Sequence, residues 1–354
     1  MSAPNPILGV LLHSVGAFSA ACCYTPSRKT KQWAWEVYWV AQATCAWLIL
    51  PLLGAWLTVP GYFDLLQECS PTAMRNSFLL GMLYGIGGFT FGLGVRYIGF
   101  SLNYAIAIGI SFVLGTVLPL VWTADDGFVD KLPMLYAEWP GRMVLLGLVI
   151  VLAGIAVCGW AGALRERLSG RTEFKFAVGV PLAVTAGVLS AVFNFALLAG
   201  ESLAKAAVEA GAYDLLQNNA IYPFACGGAW VTNVVWGLAM AARNRTAGEF
   251  VRLSDRHDGS LAFYYTMAVL SGLMWYTQFF FYGMGHANLG EKYGFTSWAL
   301  HMAILILASN LVGIVLREWK GAAALPRQVV NAGMCIILLG ILAITYGNYL
   351  GASE

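Results

Sequence analysis

Ten long apolar stretches follow one another along this chain, and basic residues collect in every second gap between them. The stretches run 6–26, 33–59, 74–95, 99–122, 141–163, 176–200, 217–241, 260–285, 294–316 and 327–350. A helix of about 20 residues crosses the hydrocarbon layer of a bilayer, so each stretch is predicted to span it. The gaps after the first, third, fifth, seventh and ninth stretches hold Arg28, Lys29 and Lys31; Arg96; Arg165, Arg167, Arg171 and Lys175; Arg243, Arg245, Arg252 and Arg256; and Arg317, Lys320 and Arg327. The other gaps hold only Arg75, Lys131, Arg142, Lys205 and Lys292. Cytoplasmic loops of polytopic proteins carry such an excess. The pattern therefore predicts a multi-pass membrane protein with both termini outside the cytoplasm and the 242–259 loop inside.

Composition agrees. The chain is 59% hydrophobic and 11% charged, against about 25% charged in soluble domains. The N-terminus has no basic run before residue 6, and 6–26 leads straight into a basic loop. The first stretch is thus expected to be a permanent helix rather than a cleaved signal. A net charge of +2 gives no reason to expect nucleic acid as a partner. Six of the seven Cys lie in apolar stretches, with no CxxC, and read as small apolar packers. The four His show no metal-ligand spacing, so neither metal nor cofactor is expected.

The chain repeats itself. Gly81, Tyr84, Phe89, Gly92 and Gly94 align without gaps on Gly272, Trp275, Phe280, Gly283 and Gly285. Gly99-Phe-Ser101 opens the fourth stretch as Gly294-Phe-Thr296 opens the ninth, and Gly147 and Gly154 match Gly333 and Gly340. Gly16-Ala-Phe-Ser19-Ala20 resembles Gly187-Val-Leu-Ser190-Ala191. The first five stretches (residues 1–170) are therefore expected to repeat as the last five (171–354). An odd number of spans per half makes the halves insert in opposite directions. Inverted repeats are a mark of alternating-access carriers, with the substrate near the midplane. Glycines four apart, as at Gly81/Gly85 and Gly88/Gly92, are expected to let helices pack closely.

Polar groups inside the spans are few, and ionisable ones cost about 2.5 kcal/mol or more in the bilayer. His13 defines a face of the first span with Gly16, Ala17, Ala20 and Tyr24. Glu36 stands near the start of the second, beside the basic loop. Trp275, Gln278, Phe279 and Tyr282 share one face of the eighth at i, i+3, i+4 and i+7. Flat rings plus an amide suit a sugar, whose C–H faces stack while its hydroxyls bond. Trp298 and His301 in the ninth resemble a pocket wall. Asn194 is a further candidate, although a lone Asn in a span more often joins two helices. The sugar-site candidates are thus Trp275, Gln278, Tyr282, Trp298, His301, Asn194 and His13. Proton carriers are sought among His13, His301 and Glu36, with His286 completing the short list of residues that could carry a proton. No GxxxxGK[ST] loop or Ser–His–Asp set occurs, so an ATP-driven pump or an enzyme is not expected. The absence of a soluble domain speaks against a sensor.

Several of these runs are similar to those of one family. Leu12-His-Ser-Val-Gly16 through Tyr24, the loop ending in Trp33-Ala-Trp-Glu36, Gly85-Ile-Gly87 and Ala105-Ile-Ala-Ile-Gly109 belong to the likeness. So, above all, do Gly272 through Gln278 to Tyr282, Gly285-His286, and Ser297-Trp298 with His301-Met302. Over nearly its whole length the chain resembles the bacterial L-rhamnose–proton symporters of the drug/metabolite transporter superfamily. The resemblance implies ten helices and import of L-rhamnose, or a similar deoxy- or L-sugar, with protons across the bacterial inner membrane. The family pattern has Asn at the positions of Gly88 and Thr90, and Ser at that of Asn194. A carrier of the same superfamily for a drug, metabolite or amino acid is the alternative.

Overall fold

The computed structural model describes residues 5–98, 100–121, 132–168, 175–253, 259–317 and 319–352. The junction between the two expected halves at 170/171, part of the 242–259 loop and Lys131 lie outside the described residues. Those residues are helical, with no strand among them. This is the outcome bilayer physics dictates, because a helix satisfies its own backbone groups where no water can.

The long helices are α1 (Pro6–Cys22), α2 (Trp35–Thr44) running on to α3 (Leu50–Thr58), α5 (Pro71–Ile98), α6 (Phe100–Val121), α8 (Trp139–Leu168), α9 (Phe176–Ala199), α11 (Tyr222–Asn244), α12 (Leu261–Asn288), α14 (Thr296–Val315) and α15 (Ala324–Ala352). Short helices α4 (Tyr62–Glu68), α7 (Leu132–Ala137), α10 (Glu201–Glu209) and α13 (Gly290–Tyr293) lie in the connections. Nine helical stretches among the described residues are long and apolar enough to cross a membrane. Helix α12 is equally long, but its tyrosines, Trp275, Gln278 and His286 lower its hydropathy below that of the nine.

Two local departures from the sequence reading have plain causes. The second span contains a π-helical turn at Cys45–Ile49. Pro51 follows it and has no N–H to offer the carbonyl four residues back, so the helix widens there. The seventh begins at Tyr222 rather than 217, after a 3-10 stretch over Asp214–Ala220. Pro223 fits the first turn of a helix but not its interior.

Packing sets the frame. Helix α8 lies against α15, α5 against α9 and α11, α12 against α1 and α2, α6 against α9, and α14 against α1. The α8–α15 crossing is antiparallel and glycine-lined. A Cβ on Gly147 would fall 2.7 Å from the Gly340 carbonyl oxygen, and one on Gly333 would fall 3.2 Å from that of Gly154. A Cβ on Gly272 would fall 2.9 Å from the Gln42 carbonyl. Gly81, its match in the sequence repeat, meets the Ala225 backbone more closely still. Gly92, by contrast, has open space around it.

Candidate functional site

Four helices bring polar and aromatic side chains together in the interior. His13 comes from α1, Tyr282 and His286 from α12, Trp298 and His301 from α14, and Asn194 from α9. His13 is wholly buried and His301 is 1% exposed. Their ring centroids lie 5.7 Å apart, and Tyr282 stands 5.2 Å from His13 and 5.4 Å from His301. Trp298 lies 6.0 Å from Tyr282 on another side, and His286 stacks on the tyrosine at 6.2 Å.

The backbone makes room for these rings. A Cβ on Gly285 would come within 2.8 Å of His13 Cδ2 and Nε2, so Gly285 must stay bare for the imidazole to sit there. Gly115 of α6 clears the space taken by the Trp298 indole. The Trp298 Nε1–H donates to the Ser111 carbonyl at 3.0 Å, which fixes the ring's tilt. Asn194 donates from Nδ2 to the Gly115 carbonyl at 2.8 Å, and the Tyr282 hydroxyl donates to Asn194 Oδ1 at 3.4 Å. Ser297, one residue before Trp298, lies 3.0 Å from His13 Nε2 through its hydroxyl.

Several polar atoms here are buried without a partner among the described residues: His13 Nδ1, both ring nitrogens of His301, and His286 Nδ1. A buried polar atom left unpaired costs about 1–3 kcal/mol.

The other candidates fall elsewhere. Trp275 is buried against Phe279 (4.5 Å) and Trp47 (4.8 Å) of the π turn. It forms an aromatic wall with Phe193 and Tyr84 one turn and more from Tyr282. Gln278 is buried on α12, its backbone meeting α1 at Gly16. Glu36 does not join the cluster. Its Oε1 accepts from Asn244 Nδ2 at 3.0 Å and from the Thr246 hydroxyl at 2.6 Å, tying the start of α2 to the end of α11. Asn233 and Asn219 make interhelical hydrogen bonds, to Trp39, Gly85 and Thr58. Sequence reasoning missed Ser297, Ser111, Gly115 and Trp47. A serine or glycine in an apolar run carries no signal of its own, whereas Trp47 lay four residues before Pro51.

A cavity of about 430 Å³ is lined by Ala20, Tyr24, Arg28, Tyr104, Arg165 and Ser309 among others, and by none of the cluster's rings. It lies at the basic ends of α1, α8 and α14. The α1 face runs from His13 through Ala20 to Tyr24, and on α14 Ser309 lies two turns below His301. At the opposite end Lys292 pairs with Glu138 (2.8 Å), the Tyr293 hydroxyl reaches Glu138 (3.5 Å) and Asn348 donates to Thr296 (2.9 Å), and a second cavity of about 510 Å³ opens beside Trp56, Tyr62, Asp64 and Tyr213.

A membrane-spanning helical bundle with a polar cluster buried among four of its helices and cavities at both ends has the architecture of a membrane carrier. The sequence profile of the L-rhamnose-proton symport protein family matches residues 2–349. The chain is 36% identical over 339 residues to an L-rhamnose-proton symporter of Cronobacter sakazakii, covering 94% of this chain and 95% of the relative. It is 35% identical over 340 residues to one of Yersinia pestis, with the same coverage. The chain belongs to the L-rhamnose-proton symport protein family. It is a membrane-embedded secondary transporter and not an enzyme.

Proposed function

We propose that this chain imports L-rhamnose, or a closely similar deoxy- or L-sugar, together with protons across the bacterial inner membrane. The observation that carries this is the family match over residues 2–349. The buried cluster of unpartnered imidazole nitrogens supports it. The rival reading, a carrier of a drug, metabolite or amino acid, has no support from the comparisons. Counterflow of labelled L-rhamnose in proteoliposomes tests the substrate, and alkalinisation of the medium on adding sugar tests the coupling. Both are expected. Absence of counterflow with folded protein rejects the sugar, and counterflow without alkalinisation rejects the proton.

The transport cycle follows from two inverted five-helix halves, residues 1–170 and 171–354, with α12, the eighth span in chain order, bringing the number of spans to ten. Packing supports this pairing. Helix α5 on α11 corresponds to α12 on α2, α6 on α9 corresponds to α14 on α1, and α8 and α15 form a pair that maps onto itself. Gly147 faces Gly340 as Gly333 faces Gly154, the reciprocal contact that a twofold axis imposes. The cavity at the basic end supports an exit route on the cytoplasmic side, and the Glu138–Lys292 pair lies at the opposite end. Sugar and proton enter when the Glu138–Lys292 end opens, and leave through the cavity. A ligand drives such a change only by binding the two states unequally.

The sugar is held by Tyr282, Trp298, His301, His13 and Asn194, with Gln278 and Trp275 extending the wall along α12. Gln278→Ala is expected to weaken L-rhamnose binding by roughly 1–3 kcal/mol, the scale of a lost buried hydrogen bond. Unchanged affinity in equilibrium binding removes Gln278 from the site. The basic gaps are cytoplasmic and the termini periplasmic. Gly248, where a side chain would meet nothing, reports on this. Gly248→Cys is expected to resist an impermeant thiol reagent in intact cells and to react in inside-out vesicles. Labelling in intact cells reverses the orientation.

A further inference from the structure

Asn233 shows how a structural amide is held in this bundle. It accepts from Trp39 Nε1 at 3.0 Å and donates to the Gly85 and Ala229 carbonyls at 3.3 and 2.8 Å. The buried indoles of Trp33 and Trp298 likewise donate to the carbonyls of Glu249 and Ser111, at 3.2 and 3.0 Å. The second span breaks this habit twice. Gln42 is 1% exposed and Trp47 4%. Yet both polar atoms of the Gln42 amide, and Trp47 Nε1, have no partner among the described residues. Unpaired buried groups subtract from stability, so packing gives no reason for an amide and an indole N–H here.

Both residues meet α12 within one turn of it. Helix α2 approaches α12 along Tyr38, Gln42 and Cys45. The Tyr38 hydroxyl bonds that of Ser271, Cys45 Sγ donates to the Val269 carbonyl at 3.7 Å, and a Cβ on Gly272 would fall 2.9 Å from the Gln42 carbonyl oxygen. Three residues beyond Gly272, the Trp275 ring meets that of Trp47 edge to face at 4.8 Å. In the π turn the Leu50 N–H bonds the Cys45 carbonyl five residues back. The widened turn advances each residue by less than the about 100° of an α-helix, which swings Trp47 nearer to the Gln42 row. Trp47 also meets Trp39 at 6.0 Å, and Trp39 stacks at 6.3 Å on Tyr24, which lines the cavity at the basic end. In the other direction Tyr282 lies seven residues, about 10 Å, further along α12.

We infer that Gln42 and Trp47 form a hydroxyl-recognising subsite on the second span, between the histidine cluster and the cavity at the basic end, and that it reads two neighbouring hydroxyls of the transported sugar. The Trp47 Nε1–H can only donate, so it takes a hydroxyl oxygen. The Gln42 amide both donates and accepts, which matches a pair of hydroxyls of which one offers its oxygen and the other its hydrogen. The rings of Trp47 and Trp275 supply the flat apolar surface for the sugar's C–H face. The π turn is what sets the indole beside this row, and such turns are frequent at functional sites.

The test uses the full-length protein in lipid nanodiscs, with L-rhamnose and its monodeoxy analogues as probes. Gln42→Leu is expected to weaken L-rhamnose binding by about tenfold, the scale of one or two buried hydrogen bonds. The thermal midpoint of the sugar-free variant should be held or raised, because the amide it loses had no partner. Trp47→Phe keeps a ring against Trp275 and removes only the N–H, and should weaken binding about fivefold. At least one monodeoxy analogue should bind wild type and Gln42→Leu equally, since the hydroxyl that Gln42 reads is then missing. A fall in the Gln42→Leu midpoint with unchanged affinity overturns the subsite and makes Gln42 a packing residue. Equal weakening toward L-rhamnose and every analogue overturns it too, because no hydroxyl is then being read. The subsite rests on the sugar-import reading, and the two failures separate. A wild type that binds another monosaccharide but not L-rhamnose rejects L-rhamnose, and the same variants then decide the subsite on that sugar. A wild type that binds no monosaccharide overturns both.

Discussion

His13→Gln is expected to abolish uphill accumulation of L-rhamnose while leaving exchange down a gradient. Glutamine is similar in reach and keeps an amide to bond Ser297, but it cannot carry a proton. The magnitude is set by the driving force. One pH unit is worth about 1.4 kcal/mol per proton, so a one-proton carrier reaches about tenfold accumulation, and an uncoupled one reaches none. His301→Gln is the next test, because both its ring nitrogens are buried and unpartnered beside His13. Glu36→Gln is expected to matter least. Its carboxylate is engaged by Asn244 and Thr246 at the end of α11, where an amide oxygen can accept the same bonds. Measuring sugar accumulation and counterflow on the same proteoliposomes separates the outcomes. If all three variants still concentrate sugar on an imposed pH gradient, the proton travels elsewhere or another ion drives transport.

The spans were legible because a bilayer leaves the chain little choice. Long apolar runs must become helices, and their ends are marked by charge. The eighth run was readable for a different reason: Trp275, Gln278, Phe279 and Tyr282 recur at helical spacing, and all four are buried on α12. The convergence of His13 with His301 was not readable. The two residues are 288 positions apart in sequence, and neither local pattern names the other. What joins them is the packing of α1 between α12 and α14, decided by small residues such as Gly9, Gly16 and Gly285. Ser297 was invisible for the same reason, since its importance comes from facing His13 Nε2 across that interface. Glu36 stood out as a proton-carrier candidate because an acid near the start of a long apolar run is conspicuous in sequence. Its partners, Asn244 at the end of α11 and Thr246 just beyond it, come from a distant helix terminus whose approach no local pattern predicts.

Glycine spacing is where the sequence was least able to discriminate, and it yields the sharpest prediction about the scaffold. Gly88/Gly92 and Gly81/Gly85 have the same four-residue interval. Gly81 and Gly85 meet the backbone of α11, whereas Gly92 is exposed with nothing near its missing side chain. Gly154→Leu should therefore be far more damaging than Gly92→Leu. At Gly154 a Cβ would stand 2.8 Å from the Ile337 nitrogen and 3.1 Å from the Gly333 oxygen. Those are backbone atoms of α15, which cannot turn aside as a side-chain tip can. The two helices would have to separate, which breaks their contact at Gly147, Gly340 and Gly347 as well. Overpacking costs typically about 1–3 kcal/mol and occasionally more, and moving a whole crossing belongs at the upper end. Against a stability of about 5–15 kcal/mol, the expected result is a large fall in thermal midpoint and in the yield of monodisperse protein. Gly92→Leu adds an apolar side chain to an exposed position and should leave the midpoint within a few degrees. Thermal unfolding of the two purified variants decides the matter. A midpoint for Gly154→Leu equal to that of Gly92→Leu would mean that the close α8–α15 crossing does not contribute to the stability of the bundle.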